Sequence, residues 1–80
     1  MPDELKHGSK VVGAKQTKRA LNDGRVKTVY LASDADSRVT GPIAALCAAQ
    51  GVPAETACSM RELGAACGIA VGAAVAALLR

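Results

Sequence analysis

The first clear periodicity in the chain is helical and spans residues 14–22. Thr17, Ala20 and Leu21 share one narrow face at about 100° per residue, which predicts a buried side. The opposite face carries basic and amide side chains: Lys15, Gln16, Lys18 and Arg19. The pattern therefore predicts a helix that buries one side and presents a basic side to solvent.

Four segments have the composition of β-strands. Val11–Val12 predicts a short strand ended by Gly13, and Val26–Ala32 predicts a longer one, because β-branched and aromatic residues favour extended backbone. A third strand is expected over Ala54–Ala57. The last, Ala73–Leu79, is apolar throughout, and we expect it to be a central strand buried on both faces.

Two further helices are expected between these strands, besides a short segment before residue 11 that is compatible with a helix. One should begin near Thr40–Pro42, because proline is favoured in a first turn, and end at Gly51. The other starts at a capping box, Ser59 to Glu62, in which the hydroxyl and the carboxylate each satisfy a backbone N–H. It should stop at Gly68 and carry three side chains inward: Met60, Leu63 and Cys67.

Strands that alternate with helices at this spacing predict an α/β fold with helices on both faces of a small sheet. The 80 residues leave room for a single domain over residues 1–80, because a chain of this size buries only about 60% of its unfolded surface. Half of the residues are apolar, which is enough to offset the loss of conformational entropy. We therefore expect one globular core.

The basic charge is concentrated in the first half of the chain. Residues 1–40 carry eight basic and five acidic residues, whereas residues 41–80 carry two of each. Asp23 is the sole acid within residues 10–27, against six basic residues: Lys10, Lys15, Lys18, Arg19, Arg25 and Lys27. Such a field attracts polyanions, nucleic acid before membrane, although a merely solvated basic surface is the alternative. One Tyr, with no Phe or Trp, excludes an aromatic stacking platform for single strands.

Cysteine usage and the terminal residues indicate a cytoplasmic protein. Cys47, Cys58 and Cys67 are odd in number and lack CxxC spacing, so they predict neither a disulfide framework nor a zinc site. The first residues lack the basic and apolar regions of a secretory signal. We interpret the uncharged run 63–79 as a helix end, a loop and a strand rather than a membrane span. We expect a monomer without a cofactor or metal.

Candidates for catalysis are few. His7 is the sole histidine and lies in a segment expected to fray. Asp34 and Asp36 could form a carboxylate pair or bind Mg²⁺, but turn formation and helix capping are favoured for both. Residues 8–17 fail as a phosphate-binding loop, because that motif needs Lys directly after the second Gly, where this chain has Ala14.

The loop of residues 69–72 is unusually apolar. Ile69 and Val71 lie beside glycines, where a solvated loop would normally be polar. They either complete the core or pack against something external, such as an extruded base. This loop, the helix start at Gly13 and the Asp34 loop each adjoin a strand, so we expect the three to share one end of the sheet.

Three spaced motifs run through the chain in order: Gly13-x-Lys15-Gln16-Thr17-x-Arg19-Ala20-Leu21 with Gly24, then Ala32-x-Asp34-Ala35-Asp36, then Leu63-Gly64-x-Ala66-Cys67-Gly68-Ile69-x-Val71. Together they resemble the kink-turn RNA-binding ribosomal protein superfamily of the L-seven-Ae type, particularly its small bacterial members. The resemblance implies a three-layer α-β-α sandwich around a four-stranded mixed sheet. It also implies a non-enzymatic protein that binds kink-turns in structured RNA, such as ribosomal RNA or a riboswitch.

By this resemblance the basic helix enters the RNA groove at tandem sheared G·A pairs. Lys15 and Gln16 stand where the family reads guanine edges, and Arg19 stands where phosphate or base is held. The resemblance places further residues at the RNA: Gly13, Asp34, Thr40, Ile69, Ala70 and Val71. Lys10 and Lys18 would add phosphate contacts.

The leading hypothesis is therefore a protein that selects and stabilises the kinked RNA conformation, with the ribosome as one candidate partner. A protein-interaction module that docks through the Ile69–Val71 loop is the alternative. A small enzyme that uses Asp34 and Asp36 is a third hypothesis.

Overall fold

The computed structural model describes residues 9–80, so His7 and the segment expected before the first strand lie outside the described residues. Within residues 9–80, four strands and three helices follow one another as β1 (Lys10–Val12), α1 (Ala14–Asn22), β2 (Val26–Ala32), α2 (Ser37–Gln50), β3 (Ala54–Cys58), α3 (Met60–Ala66) and β4 (Val75–Leu79). This alternation of strands and helices confirms the predicted α/β class.

The four strands form one mixed sheet in the order β1-β4-β2-β3. β4 runs antiparallel to both β1 and β2, whereas β2 and β3 are parallel. The final strand is thus central, as its apolar sequence predicted, although it begins at Val75 and not at Ala73. The register brings Leu78 opposite both Lys10 of β1 and Thr28 of β2.

An apolar cluster lies on each face of the sheet, which confirms the three-layer sandwich. On one face α1 and α2 cover the strands, and the buried residues are Ala20, Leu21, Val26, Val29, Leu31, Ile43, Cys47, Val75 and Ala77. On the other face α3 covers the strands, and the buried residues are Tyr30, Ala32, Cys58, Leu63, Ala66, Cys67, Ala73, Ala76 and Leu78. Because side chains alternate along a strand, β4 contributes to both clusters.

The start of α2 was predicted wrongly, three residues too late. The helix begins at Ser37, where Asp36 is the N-cap residue and accepts a hydrogen bond from the Arg38 N–H at 2.9 Å. Pro42 therefore lies inside the helix instead of in its first turn. Pro42 and Arg38 are both exposed, so water can bond the carbonyl that proline leaves without a donor. Asp36 therefore marks the start of α2 better than Pro42 does.

The expectation that α3 carries Met60 inward was also wrong. Met60 is 36% exposed, whereas Leu63 and Cys67 are buried as predicted. Met60 is the first residue after the cap, where the helix has barely begun to lie against the sheet.

The uncharged run 63–79 divides into the end of α3, a loop and β4, as predicted. Among the described residues, no helix has the length and apolar character needed to cross a bilayer.

One polar atom in the core lacks a partner. The Thr17 side chain is fully buried on the inner side of α1, and its Oγ1 makes no hydrogen bond within the part of the chain that the structure describes. A buried hydroxyl without a partner costs free energy, because it gives up its bonds to water.

Thr17→Val should therefore raise the free energy of unfolding by about 1 kcal/mol, because valine keeps the shape and removes the unpaired hydroxyl. Thermal melting of both proteins measures the change. Thr17→Ser, which keeps the hydroxyl and loses a buried methyl, is the matched control and should lower stability by about 1 kcal/mol. A valine variant that melts no higher than the natural protein would contradict this account.

Candidate functional site

The three segments expected to share one end of the sheet do so. The Gly13 N–H donates to the Val75 carbonyl at 2.8 Å, which ties the start of α1 to the start of β4. The Ser33 N–H donates to the Cys58 carbonyl at 2.7 Å, and the Ala32 N–H to the Ala74 carbonyl at 2.9 Å. The first turn of α1, the loop after β2 and the loop before β4 therefore lie side by side.

The first turn of α1 presents unpaired backbone donors beside basic side chains. Gly13 is the N-cap residue with φ 101°, a conformation that favours glycine, and it provides no side-chain cap. The N–H groups of the first turn are thus left for an external acceptor, and the helix dipole adds partial positive charge there. Lys15 and Gln16 are exposed in this turn, and Lys18 and Arg19 are exposed in the next.

The two aspartates of the loop after β2 each bind backbone. Asp34 Oδ1 accepts the Met60 N–H at 2.7 Å, which joins this loop to the start of α3. Asp36 caps α2 and accepts two bonds from the Arg38 guanidinium, at 2.7 Å from Nη2 and 3.0 Å from Nε to its Oδ2. This guanidinium, with the Arg38 N–H, holds the pKa of the Asp36 carboxyl below its usual value. Capping is therefore confirmed for Asp36, whereas Asp34 binds the first N–H of α3, 26 residues along the chain.

Thr40 lies at the end of the first turn of α2, half-buried. Its N–H donates to the Asp36 carbonyl at 3.1 Å. Thr40 therefore borders the same loop as the two aspartates.

A capping box sets the start of α3. Ser59 Oγ accepts the Glu62 N–H, and Glu62 Oε1 accepts the Ser59 N–H, each at 3.1 Å. The bond from the Ser59 backbone, with that of its side chain, holds the pKa of Glu62 below its usual value. The predicted box is confirmed, and it fixes the helix turn that Asp34 also binds.

The loop of residues 69–72 is held tightly against α3. The Ile69 N–H donates to the Gly64 carbonyl at 3.1 Å, and the Ala73 N–H donates to the Met60 carbonyl at 2.9 Å. Gly64 is buried, and a Cβ built on it would overlap the Val71 carbonyl oxygen. The loop path therefore depends on the absence of a side chain at Gly64.

The apolar side chains of this loop face solvent. Val71 is 70% exposed and Ile69 is 36% exposed, so they do not complete the core. Ala70 between them is exposed as well. Met60 stands beside the loop, because a Cβ built on Gly72 would come within 3.2 Å of the Met60 Cβ. These side chains form an apolar surface patch, which we call the loop patch: Met60, Ile69 and Val71.

Sequence reasoning missed Met60 as a member of this patch. Its exposure and its place beside Gly72 depend on how the loop packs against α3, which no sequence periodicity reports.

Lys10 lies apart from the other candidate residues. With residues Ala65 to Gly68 it lines a cavity of about 240 Å³ on the face of the sheet that α3 covers. The basic side of α1 lies over the opposite face. The structure therefore does not bring Lys10 together with Lys15 and Lys18.

The cysteines are poorly suited to nucleophilic chemistry. All three are free and buried. Burial raises the pKa of the thiols of Cys47, Cys58 and Cys67, so each is protonated at neutral pH.

Comparison with known proteins gives consistent matches over most or all of the chain. Residues 1–80 match the family described as ribosomal protein L7Ae/L30e/S12e/Gadd45. The RNA-binding protein YbxF of Geobacillus stearothermophilus is 43% identical over 76 residues, which are 95% of this chain and 93% of that protein. An RNA-binding protein of Caldanaerobacter subterraneus is 46% identical over 68 residues, 85% of this chain and 83% of that one.

Among solved structures, the 15.5kD RNA binding protein of Giardia lamblia superposes with a TM-score of 0.91. It is 29% identical, and the match covers 98% of this chain and 69% of that one. The three-layer fold is therefore shared with that protein.

Gly64→Ala should lower the free energy of unfolding by about 1–3 kcal/mol, because the new methyl group collides with the Val71 carbonyl. Gly41→Ala in α2 is the matched control. Gly41 is exposed and a Cβ there meets no atom within 4 Å, so this change should raise stability by about 0.5–1 kcal/mol through helix propensity. Urea denaturation of both variants measures the two effects, and a gain in stability at Gly64 would refute the close approach of the loop to α3.

Proposed function

The chain belongs to the ribosomal protein L7Ae/L30e/S12e/Gadd45 family, and we propose that it binds structured RNA, recognises kink-turn motifs and catalyses no reaction. One observation carries the proposal: the basic, amide-bearing start of α1 and the exposed loop patch lie side by side at one end of the sheet. Two relatives that are 43% and 46% identical are named RNA-binding proteins, which supports RNA as the partner.

The first turn of α1 supplies the groups that read base edges. Lys15 donates to the O6 and N7 acceptors of guanine, and the Gln16 amide can both donate and accept at a sheared G·A pair. The uncapped N–H groups that follow Gly13 face the same groove and suit an electron-rich base edge or a phosphate. All three features are accessible without any rearrangement of the protein.

Arg19 and Lys18 extend this surface along α1. The guanidinium of Arg19 holds a phosphate or a base through two simultaneous bonds, and Lys18 neutralises a phosphate as a point charge. A sharp bend in RNA brings phosphates close together, so cations at this place favour the bent form over the straight one.

The loop patch receives a nucleotide that protrudes from the bend. Met60, Ile69 and Val71 offer aliphatic and thioether surface against a base face, and Ala70 leaves room for its approach. Asp34 helps to position the loop patch, because its carboxylate ties the β2–α2 loop to the helix turn that carries Met60. Thr40 borders the same loop.

The competing functions are less well supported. An exposed apolar loop would also suit a protein partner, but that alternative does not use the basic helix start beside it. A hydrolytic role for Asp34 and Asp36 is disfavoured, because both carboxylates already accept backbone N–H groups of helix starts.

We propose a monomer that acts in the cytoplasm on ribosomal RNA or a riboswitch.

A gel shift with a kink-turn RNA, beside the same duplex with its G·A pairs replaced by Watson–Crick pairs, tests the proposal. The kink-turn RNA should be bound far more tightly. If α1 neutralises about three to five phosphates, log K should fall with log salt at a slope of roughly −2 to −4. Equal binding of both RNAs would refute kink-turn recognition.

Gln16→Ala separates base reading from charge attraction. Gln16 is exposed, so the protein should keep its stability and its net charge. Removal of the amide should weaken binding of the kink-turn RNA by about 1–3 kcal/mol and leave binding of the plain duplex nearly unchanged. Fluorescence anisotropy with the two labelled RNAs measures both affinities, and equal losses on both would rule out base reading by Gln16.

Val71→Ala tests the loop patch. Because Val71 is 70% exposed, truncation should leave the melting temperature almost unchanged. Affinity for a kink-turn RNA with a protruding nucleotide should fall, and the loss should shrink when that nucleotide is replaced by an abasic site. If the affinity is the same as that of the natural protein for both RNAs, the loop patch is not part of the RNA contact.

A further inference from the structure

A second group of cations lies at the opposite end of the sheet from the candidate site. Arg25 precedes β2, Lys27 is its second residue, and Arg80 follows β4. The Arg80 N–H donates to the Arg25 carbonyl at 2.8 Å, and Arg80 Nε lies 3.4 Å from the Val26 carbonyl. Arg25 and Val26 therefore meet the end of β4, and Lys27 follows them in the chain. We call the basic residues there the distal cluster: Arg25, Lys27 and Arg80.

A β-bulge places Lys27 in this cluster. Val26 pairs with Leu79, and Thr28 pairs with Leu78, so two residues of β2 advance against one residue of β4. Lys27 is the extra residue, it has no partner opposite it on β4, and it is exposed. Bulges redirect side chains and are kept where the direction matters. The bulge keeps Lys27 at the surface between two stretches of strand whose other residues are mostly buried.

Little negative charge offsets the distal cluster. Arg25 Nε lies 3.8 Å from Asp23 Oδ2, and both side chains are more than half exposed, so this ion pair is weak. Lys27 makes no ion pair with any residue in the part of the chain that the structure describes. The cluster therefore keeps a net positive charge that is accessible to a large anion.

The distal cluster adjoins the end of α1, where the Arg25 N–H donates to the Ala20 carbonyl at 3.1 Å. It lies at the start of β2, whereas the Asp34 loop follows the end of β2, about 20 Å away at about 3.3 Å per residue. The distal cluster is therefore separated from the Asp34 loop by the length of β2 and from the first turn of α1 by the rest of that helix.

The geometry points to a second RNA-binding surface, at which the distal cluster binds the phosphate backbone of a plain RNA duplex without reading its sequence. Exposed cations from two arginines and a lysine suit phosphates, whereas no apolar residue of the loop patch lies at this end to insert into a lipid layer. The protein would thus hold two RNA segments at once, one kinked and one straight.

The test adds a labelled plain duplex to the protein already saturated with an unlabelled kink-turn RNA of short stems. We expect a ternary complex whose affinity for the duplex falls about 40-fold when monovalent salt rises from about 50 to about 200 mM, as about three phosphate contacts require. The double variant Arg25→Gln, Lys27→Gln should abolish most duplex binding and change kink-turn affinity less than about twofold.

Asp23→Asn is the matched control, because it removes the acid next to Arg25 and should strengthen duplex binding. Both changes are at exposed side chains, and the bond from Arg80 to Arg25 uses backbone atoms, so the fold should persist; circular dichroism checks this.

Absence of a ternary complex, or a complex that the double variant leaves intact, would overturn the second surface. Binding of vesicles that contain anionic lipid, without binding of the duplex, would also overturn it. Loss of kink-turn discrimination would instead refute the proposed function. In that case, the effect of the double variant on duplex binding by the free protein would still show whether the distal cluster binds RNA.

Discussion

The constraint on which this fold depends is the burial of β4 on both of its faces. β4 is the last strand in the chain, yet it lies between β1 and β2 and supplies side chains to both apolar clusters. Val75, Ala76 and Ala77 are completely buried. Alanine at two of these positions lets helices approach the sheet from either side, so the three helices of residues 9–80 cover both faces of the sheet. Every segment of the candidate site is fastened directly or indirectly to the start of this strand.

The hydrogen bonds that join these segments to β4 and to one another explain how an 80-residue chain presents an ordered surface. Gly13 binds the Val75 carbonyl, the end of β2 binds the Ala74 carbonyl, and Asp34 reaches the first N–H of α3. The apolar loop is fixed in turn by Gly64 and by the Met60 carbonyl. Most of these bonds use backbone atoms, so the side chains of Lys15, Gln16, Ile69 and Val71 remain available. The surface is built before any ligand arrives, and little ordering entropy remains to be lost on binding.

The structural features that depend on residues close together in the sequence could be predicted from it. The amphipathic face of α1, the capping box at Ser59 and the apolar character of β4 each depend on neighbours in sequence, and each was recognised there. The start of α2 was misjudged because Pro42 is a conspicuous start signal, whereas the cap at Asp36 competes with a turn role for the same residue. The exposure of Met60 and Val71 and the need for glycine at position 64 come from contacts between α3 and a loop, which no periodicity reports. The bulge at Lys27 likewise depends on the register with a strand 50 residues later.

The burial of Tyr30 has a spectroscopic consequence. It is the single aromatic residue of the chain, and it lies 5% exposed in the cluster beneath α3. Its ultraviolet absorption and fluorescence therefore report on the packing of that face of the sheet, on the far side from α1. Intrinsic emission will follow unfolding faithfully but will respond little to a ligand at the helix start, so occupancy of the site has to be observed through a label on the ligand. The same absence of other chromophores means that nucleic acid carried through purification will dominate the absorbance of the sample near 260 nm.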